Sequence, residues 1–198
     1  MYKFNYQKVS SIKEAEKLLN EDEEAKIIAG GQTLIPTMKQ RLASPSVLID
    51  IGGISDLNFI KEENDLIVIG ANTTHFEVAS SDLIKNKIPS LSDLAEGIGD
   101  PHVRNMGTIG GSISNNDPTA DYPAACLSLG AVIKTNKRDI ISNDFFGKFN
   151  DILGTDKDES EDKIEESISN NKGISQISWI SILIILTSIS LLFWYSLS

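Results

Sequence analysis

A single cysteine, Cys126, in 198 residues leaves no disulfide framework and no four-thiolate metal or iron–sulfur site. Two histidines, His75 and His102, argue against a protein-built zinc site. Cations are scarce as well: 18 Lys and Arg stand against 28 Asp and Glu, for a net charge of −10. No basic stripe runs along the chain, so nucleic acid, which is held by clustered Lys and Arg, is excluded as a partner class. Residues 1–9 lack the apolar stretch of a secretory leader, and the expected compartment is the cytoplasm. Nothing resembles a hydrolytic triad, a metal cluster or a substrate acid–base pair.

What is present is a soluble-type composition, 40% hydrophobic and 23% charged, in a length that suits one domain or two small ones. It changes sharply near residue 150. Residues 151–166 hold eight acidic side chains against Lys157 and Lys163, the density of a solvated linker. From residue 173 to 198 there is no charge, only an Ile/Leu/Ser-rich run that carries Trp179 and Trp194.

The opening reads as β-α-β-α-β, a layered α/β unit. Residues 2–7 alternate like a half-buried strand, and Ser11 with Glu14 has the spacing of a capping box before a helix carrying Ile12, Ala15, Leu18 and Leu19. Residues 27–29 form a buried strand, 33–42 a helix with Leu34, Met38 and Leu42 on one face, and 47–51 a strand closed by Gly52 and Gly53. Then come a hairpin of 58–61 and 66–71, helices over 74–80 and 90–97, and a stretch at 109–114 too glycine-rich for a strand interior. A helix over 121–129 has Asp121 as acidic N-cap, Pro123 in its first turn, and Tyr122, Ala125, Cys126 and Leu129 on one face. A second hairpin of 131–135 and 139–142 follows, and a further element starts at 143. The expected organisation is one subdomain over 1–54 and another over 55–150, with a cleft between them. An acidic linker over 151–172 and an apolar tail over 173–198 follow.

Two glycine loops carry the chemistry: A-G-G-Q-T at 29–33, directly after an apolar strand, and G-T-I-G-G-S at 107–112. Consecutive glycines permit positive φ and let backbone N–H groups converge on an anion, with a helix N-terminus adding to the preference. Thr33 and Thr108 can each donate a hydroxyl to phosphate oxygen. Either Gly-Gly pair alone reads as a tight turn, and the G-x-G-x-x-G spacing of a dinucleotide-binding Rossmann unit is missing.

Taken together, the motifs A-G-G-Q-T-L-I-P at 29–36, M-K-Q-R-L at 38–42, D-I-G-G-I at 50–54 and V-R-N-M-G-T-I-G-G-S through D-Y-P-A at 103–124 resemble a known family. It is that of the FAD-binding flavoprotein subunits of molybdenum hydroxylases, the carbon monoxide dehydrogenase medium subunit and the xanthine dehydrogenase FAD domain. The resemblance runs over about residues 1–149. It implies an α+β, two-subdomain FAD-binding fold of the vanillyl-alcohol-oxidase-like, PCMH type, with the diphosphate of FAD between the loops. Carried over by position, the cofactor-binding residues are Ile27, Ile28, Ala29, Gly30, Gly31, Gln32, Thr33 and Leu34 in the first loop. In the second they are Thr108, Ile109, Gly110, Gly111 and Ser112, with Asp121 reaching the flavin's polar chain. Asp121 can be both N-cap and ligand. Arg104 reads either as a cation near phosphate or as a surface pair, His102 as a structural loop residue and Cys126 as core. No catalytic residue and no metal ligand is expected of this chain. The partners implied are a [2Fe–2S] subunit and a large subunit binding the molybdenum cofactor, with electrons passing through FAD to an acceptor. The alternatives are a stand-alone FAD dehydrogenase or oxidase and an inactive truncated fragment.

The resemblance stops at the tail. Residues 174–195, 22 in number, would span about 33 Å as a helix, enough for a bilayer core, and would anchor the flavin domain to a membrane. The preferred reading is a frameshifted translation: shifted by one base, 168–178 can encode F-P-I-I-K-A-Y-H-K-F-R, which resembles the start of the family's next domain. On either reading the tail takes no part in FAD contact, and its removal is expected to leave binding intact and improve solubility.

Overall fold

The computed structural model describes residues 1–117, residues 119–146 and the backbone of a strand at Ile182–Ile185. The first unit is the anticipated alternation: β1 (Asn5–Lys8), α1 (Ile12–Glu21), β2 (Lys26–Ile28), α2 (Leu34–Lys39) and β3 (Val47–Asp50). The strands pair in parallel in the order β1-β3-β2, with Tyr6 opposite Leu48 and Ile27 opposite Ile49. Because strand side chains alternate, neighbouring residues serve different cores. Ile27 and Ile49 join Ala15, Leu18 and Leu19 of α1, whereas Ile28 and Leu48 join Leu34, Ile35 and Met38 of α2.

Details depart from expectation for local reasons. The edge strand β1 is exposed at all four residues rather than half-buried. Ser11 caps α1 by accepting from the Glu14 N–H at 3.3 Å, but the Glu14 carboxylate accepts from the Ser10 N–H at 3.0 Å, so the box closes one residue early. Helix α2 stops at Lys39 because Arg41 takes a left-handed φ of 63° and the Leu42 N–H bonds back to the Thr37 carbonyl at 3.0 Å, a Schellman end. Leu42 is therefore 75% exposed instead of sharing the face of Leu34 and Met38.

The second unit opens with the expected hairpin, β4 (Ile60–Glu63) and β5 (Leu66–Gly70), turned by Asn64 and Asp65 at φ 51° and 63°. Both central residues at positive φ match the twist of the flanking strands. Six helices follow: α3 (His75–Ser80), α4 (Asp82–Lys87), α5 (Pro89–Gly97), α6 (Pro101–Met106), α7 (Ile109–Asn115) and α8 (Asp121–Ser128). The hairpin β6 (Val132–Lys134) and β7 (Asp139–Ile141) and the short helix α9 (Ser142–Phe145) come next. The helices cover one core built on Ile67, Ile69, Ile109, Ile113, Tyr122, Cys126 and Ile133.

Segment 109–114, too glycine-rich for a strand interior, lies in the helix α7. Thr108 caps it by accepting from the Gly111 N–H at 3.1 Å, and Ile109 and Ile113, one turn apart, are both fully buried. Asp121 is not an N-cap either: Ala120 holds that position and Asp121 is the first residue of α8. The apolar tail is likewise corrected from helix to strand where it is described. Ile182–Ile185 forms β8, parallel to both β5 and β6, in a sheet ordered β4-β5-β8-β6-β7. A helix there would close its own hydrogen bonds and leave the facing edges of β5 and β6 unpaired; a strand in which Ile182, Ile184 and Ile185 are β-branched satisfies both. Among the described residues no helix is long and apolar enough to cross a membrane. The acidic linker over 151–172 and the rest of the 173–198 tail lie outside the described residues.

Candidate functional site

A cleft of about 910 Å³ opens between the two units, and residues of both line it. The two glycine loops meet at its floor. An added Cβ on Gly30 would stand 1.8 Å from the Met106 carbonyl oxygen and 2.9 Å from the Gly107 Cα, so backbone packs on backbone there. Asn72 ties the units together nearby: its Nδ2 donates to the Ile51 carbonyl at 2.7 Å and its own N–H to the Leu57 carbonyl at 2.7 Å.

All eight residues expected of the first loop, Ile27, Ile28, Ala29, Gly30, Gly31, Gln32, Thr33 and Leu34, line the cleft. Gly31 adopts the left-handed φ of 71° that reverses the chain after β2. The N–H groups of Gly30, Gly31, Gln32, Thr33 and Leu34 find no acceptor among the described residues, and the Thr33 hydroxyl makes no capping bond. A run of unengaged backbone donors beside a cavity is the arrangement that receives an anion.

The second loop works differently from the anticipated anion nest. Thr108, Gly110, Gly111 and Ser112 line the cleft, but the N–H groups of the last three are spent inside the fold. The Gly110 N–H bonds the Ala71 carbonyl at 2.9 Å, Gly111 bonds Thr108 Oγ1, and the Ser112 N–H bonds the Thr108 carbonyl at 3.0 Å. Gly110 is glycine for packing: a Cβ would lie 2.6 Å from both the Cβ and the carbonyl oxygen of Ala71. Ile109 is wholly buried with its N–H on the Thr73 carbonyl at 3.0 Å, and it does not face the cleft. What this wall can offer is side chains, above all the Thr108 hydroxyl proton and Ser112. Asp121 is exposed in the first turn of α8 and stands outside the residues lining the cleft.

Several lining residues were not anticipated, among them Asn72, His75, Ser114, Asn115, Asp117 and Lys137. Had 109–115 been read as a helix, its period would have found Asn115, which shares with Thr108 and Gly111 the face opposite Ile109 and Ile113. Arg104 fits neither of its readings, since its guanidinium donates to the carbonyls of Ile98 at 3.2 Å and Gly99 at 3.1 Å. His102 sits in helix α6, not in a loop. Cys126 is core as expected, its thiol pushed up to about 12 by burial and so held unreactive.

His75 is 5% exposed, with Nδ1 sealed and unpartnered. Burial lowers its pKa to about 4, and the Asp121 carboxylate opposes that shift. A group harder to protonate when folded makes the unfolded chain bind more protons between the two pKa values. Its contribution to stability is therefore full above pH 6.5 and is lost as pH falls from 6.5 towards 4. The expected loss is on the order of 1–3 kcal/mol in urea unfolding between pH 7 and pH 4.5. His75→Gln should flatten that slope, and Asp121→Asn should push the loss to lower pH. An unchanged slope in His75→Gln protein would assign the effect to other groups.

Residues 2–158 match the family described as the FAD binding domain in molybdopterin dehydrogenase. The chain belongs to that family. It is 40% identical to the glyceraldehyde dehydrogenase medium chain of Sulfolobus acidocaldarius over 147 residues, 72% of this chain and 52% of that one. It is 45% identical to the carbon monoxide dehydrogenase medium chain of Afipia carboxidovorans over 129 residues, 65% of this chain and 45% of the relative. Among solved structures, the reconstituted CO dehydrogenase from Oligotropha carboxidovorans superposes with a TM-score of 0.69 at 40% identity, covering 72% of this chain and 52% of that one. The chain thus spans about half the length of the curated relatives it matches. Its cofactor is FAD, as in the molybdopterin dehydrogenase FAD-binding domains at large. The site suits that cofactor: residues of both units line the cleft, and the unengaged N–H donors of residues 30–34 border it.

Proposed function

We propose that FAD lies across the cleft with its diphosphate on the first loop. The observation that carries this is the run of unengaged N–H groups from Gly30 to Leu34. Gly31 turns those groups towards the cleft, and the Thr33 and Thr108 hydroxyls add donors from its two sides. Diphosphate is then held by neutral donors rather than by a cationic cluster, in keeping with an acidic chain. The sealed Oδ1 of Asn72 is an unpaired acceptor at the junction of the two units, and Ile27, Ile51, Leu34 and Val103 make apolar wall that keeps water off the ligand.

On this reading the chain is the flavin-binding part of a molybdenum-hydroxylase-type oxidoreductase. Bound FAD supplies a centre that exchanges electrons singly or in pairs. The protein's task is to bind and orient that centre, and no lining residue is arranged as a nucleophile or a general base for a substrate. Electrons would enter from a [2Fe–2S] partner subunit, itself served by a large subunit with the molybdenum cofactor, and leave to an acceptor.

Purified chain should bind one FAD and show the visible flavin bands, with no substrate turnover until iron–sulfur and molybdenum subunits are added. Failure to bind FAD overturns the site. Unaided oxidation of a small substrate by the flavin-loaded chain would overturn the relay role and leave the site standing.

A further inference from the structure

His75 belongs to the wall of the cleft by construction. Its N–H donates to the Gly107 carbonyl at 3.0 Å, and Thr74 bridges Thr108, so the start of α3 is stitched to the second loop. A capping box of Thr74 and Glu77 holds that end of α3 in place. Nε2 of the imidazole lies 2.7 Å from where a Cβ on Gly107 would stand, and Gly107 in turn abuts Gly30 of the first loop. The ring thus fills space that only a glycine at 107 leaves open, one residue from the run of free donors.

Two buried polar atoms beside it lack partners: Nδ1 of His75 and the hydroxyl of Tyr122. Tyr122 is fully buried, and its ring centroid is 5.3 Å from that of His75 at a 32° tilt. The two orphans are complementary. A phenol in a dry site needs an acceptor, its own ionisation being pushed upward by burial. A neutral imidazole has one lone pair and one N–H to distribute between its nitrogens. Sealing the N–H at Nδ1 would leave a donor without acceptor, and orphaned donors are the rarer and costlier case. Placing the lone pair at Nδ1 avoids an orphaned donor there and puts the N–H on Nε2, against Gly107; it also offers the Tyr122 hydroxyl an acceptor once the two rings, not hydrogen-bonded in this structure, shift together on binding.

We propose that His75 is a positioning residue for the cofactor: with FAD bound, Nε2–H donates to a diphosphate oxygen, and Tyr122 O–H donates to Nδ1 and fixes that tautomer. The inference rests on the FAD reading and adds to it a side-chain donor opposite the backbone donors of the first loop. It also accounts for a neutral histidine in an acidic chain: a donor is supplied at the diphosphate without a proton being taken up on binding.

The test titrates the apoprotein with FAD and, separately, with ADP, which carries the diphosphate without the flavin ring. His75→Ala should weaken both ligands about tenfold, His75→Gln should recover part of that loss, and Tyr122→Phe should weaken both about threefold. Two-bond 1H–15N correlation spectra of imidazole-labelled FAD-bound protein read the tautomer directly and should show the proton on Nε2. A proton on Nδ1, or unchanged ADP and FAD affinities in His75→Ala protein, overturns the proposal. Weakened FAD with unchanged ADP and a shifted flavin spectrum also overturns it, by moving the contact to the ring. Affinity losses that merely follow the lowered stability of the apoprotein, with no rescue by glutamine, reduce His75 to packing and overturn it too. Wild-type protein that binds neither ligand overturns the FAD reading itself, an outcome distinct from each of these.

Discussion

Gly30→Val should yield protein that carries no flavin and unfolds at markedly lower denaturant. The Cβ alone would stand 1.8 Å from the Met106 carbonyl oxygen, and neither that carbonyl nor the Gly107 Cα behind it belongs to a side chain that can rotate away. The two loops must separate by more than an ångström, which costs about 3 kcal/mol or more and pulls the first loop away from the second wall. Gly31→Ala makes the contrast. Its added methyl meets only side-chain atoms, Cδ1 and Cγ1 of Ile35 and Cδ1 of Ile28, and its main penalty is the left-handed φ of 71°, about 1–2 kcal/mol. Gly31→Ala protein should keep weakened flavin binding where Gly30→Val keeps none. Flavin absorbance per chain after desalting and the urea midpoint measure both effects. Full occupancy and an unchanged midpoint in Gly30→Val protein would mean that the loops do not meet as described.

Ile184→Pro, or removal of residues 151–198, should loosen the second sheet rather than improve the protein. Strands β5 and β6 do not pair with one another; each pairs with β8, with Ile69 and Ile133 both opposite Ile184. Proline in a central strand removes a ladder donor and crowds its neighbours, at a cost on the order of 3 kcal/mol. Deletion leaves two facing edges open, a template for association between chains. The expected signature is lost amide protection in Leu66–Gly70 and Val132–Lys134, with oligomers at raised concentration. Deleted protein that stays monomeric with undiminished protection would show that β8 contributes nothing. Composition alone pointed the other way, to better behaviour once an uncharged run is gone.

That reversal shows where sequence reading runs out. The opening β-α-β-α-β unit was legible because residues 27–29 and 47–51 are short, mostly apolar runs, each closed by a glycine pair, and Leu18, Leu19 and Met38 recur at helical spacing, all local patterns. The hairpin turn at Asn64 and Asp65 was legible for the same reason. Segment 109–115 was not, because glycine counts against a helix by intrinsic preference, while here Gly110 is what lets the helix approach Ala71. The apolar tail was misjudged because 182–185 acquires its strand partners from residues more than fifty positions away.

In the site, the motif of the first loop picked out residues 27–34, all of which line the cleft. The second loop's glycines were read as an anion nest, whereas their N–H groups bond Ala71 and Thr108, partners that no motif displays. His75 escaped notice as a lone histidine; its relation to Tyr122 exists only in three dimensions.

The bond from Asn72 to the Ile51 carbonyl has a kinetic meaning. The apolar cores of the two units are separate, those of the first ending with Leu57 and that of the second starting at Ile60, and polar bonds around Asn72 span the boundary at the cleft. Units joined this way swing readily, because a hydrogen bond tolerates rotation that interdigitated side chains resist. Asn72 then serves as a pivot, and a ligand gripped from both sides becomes the brake on the swing. Cofactor occupancy would set the rigidity of the whole molecule, and with it how well any docking surface made from both units is formed.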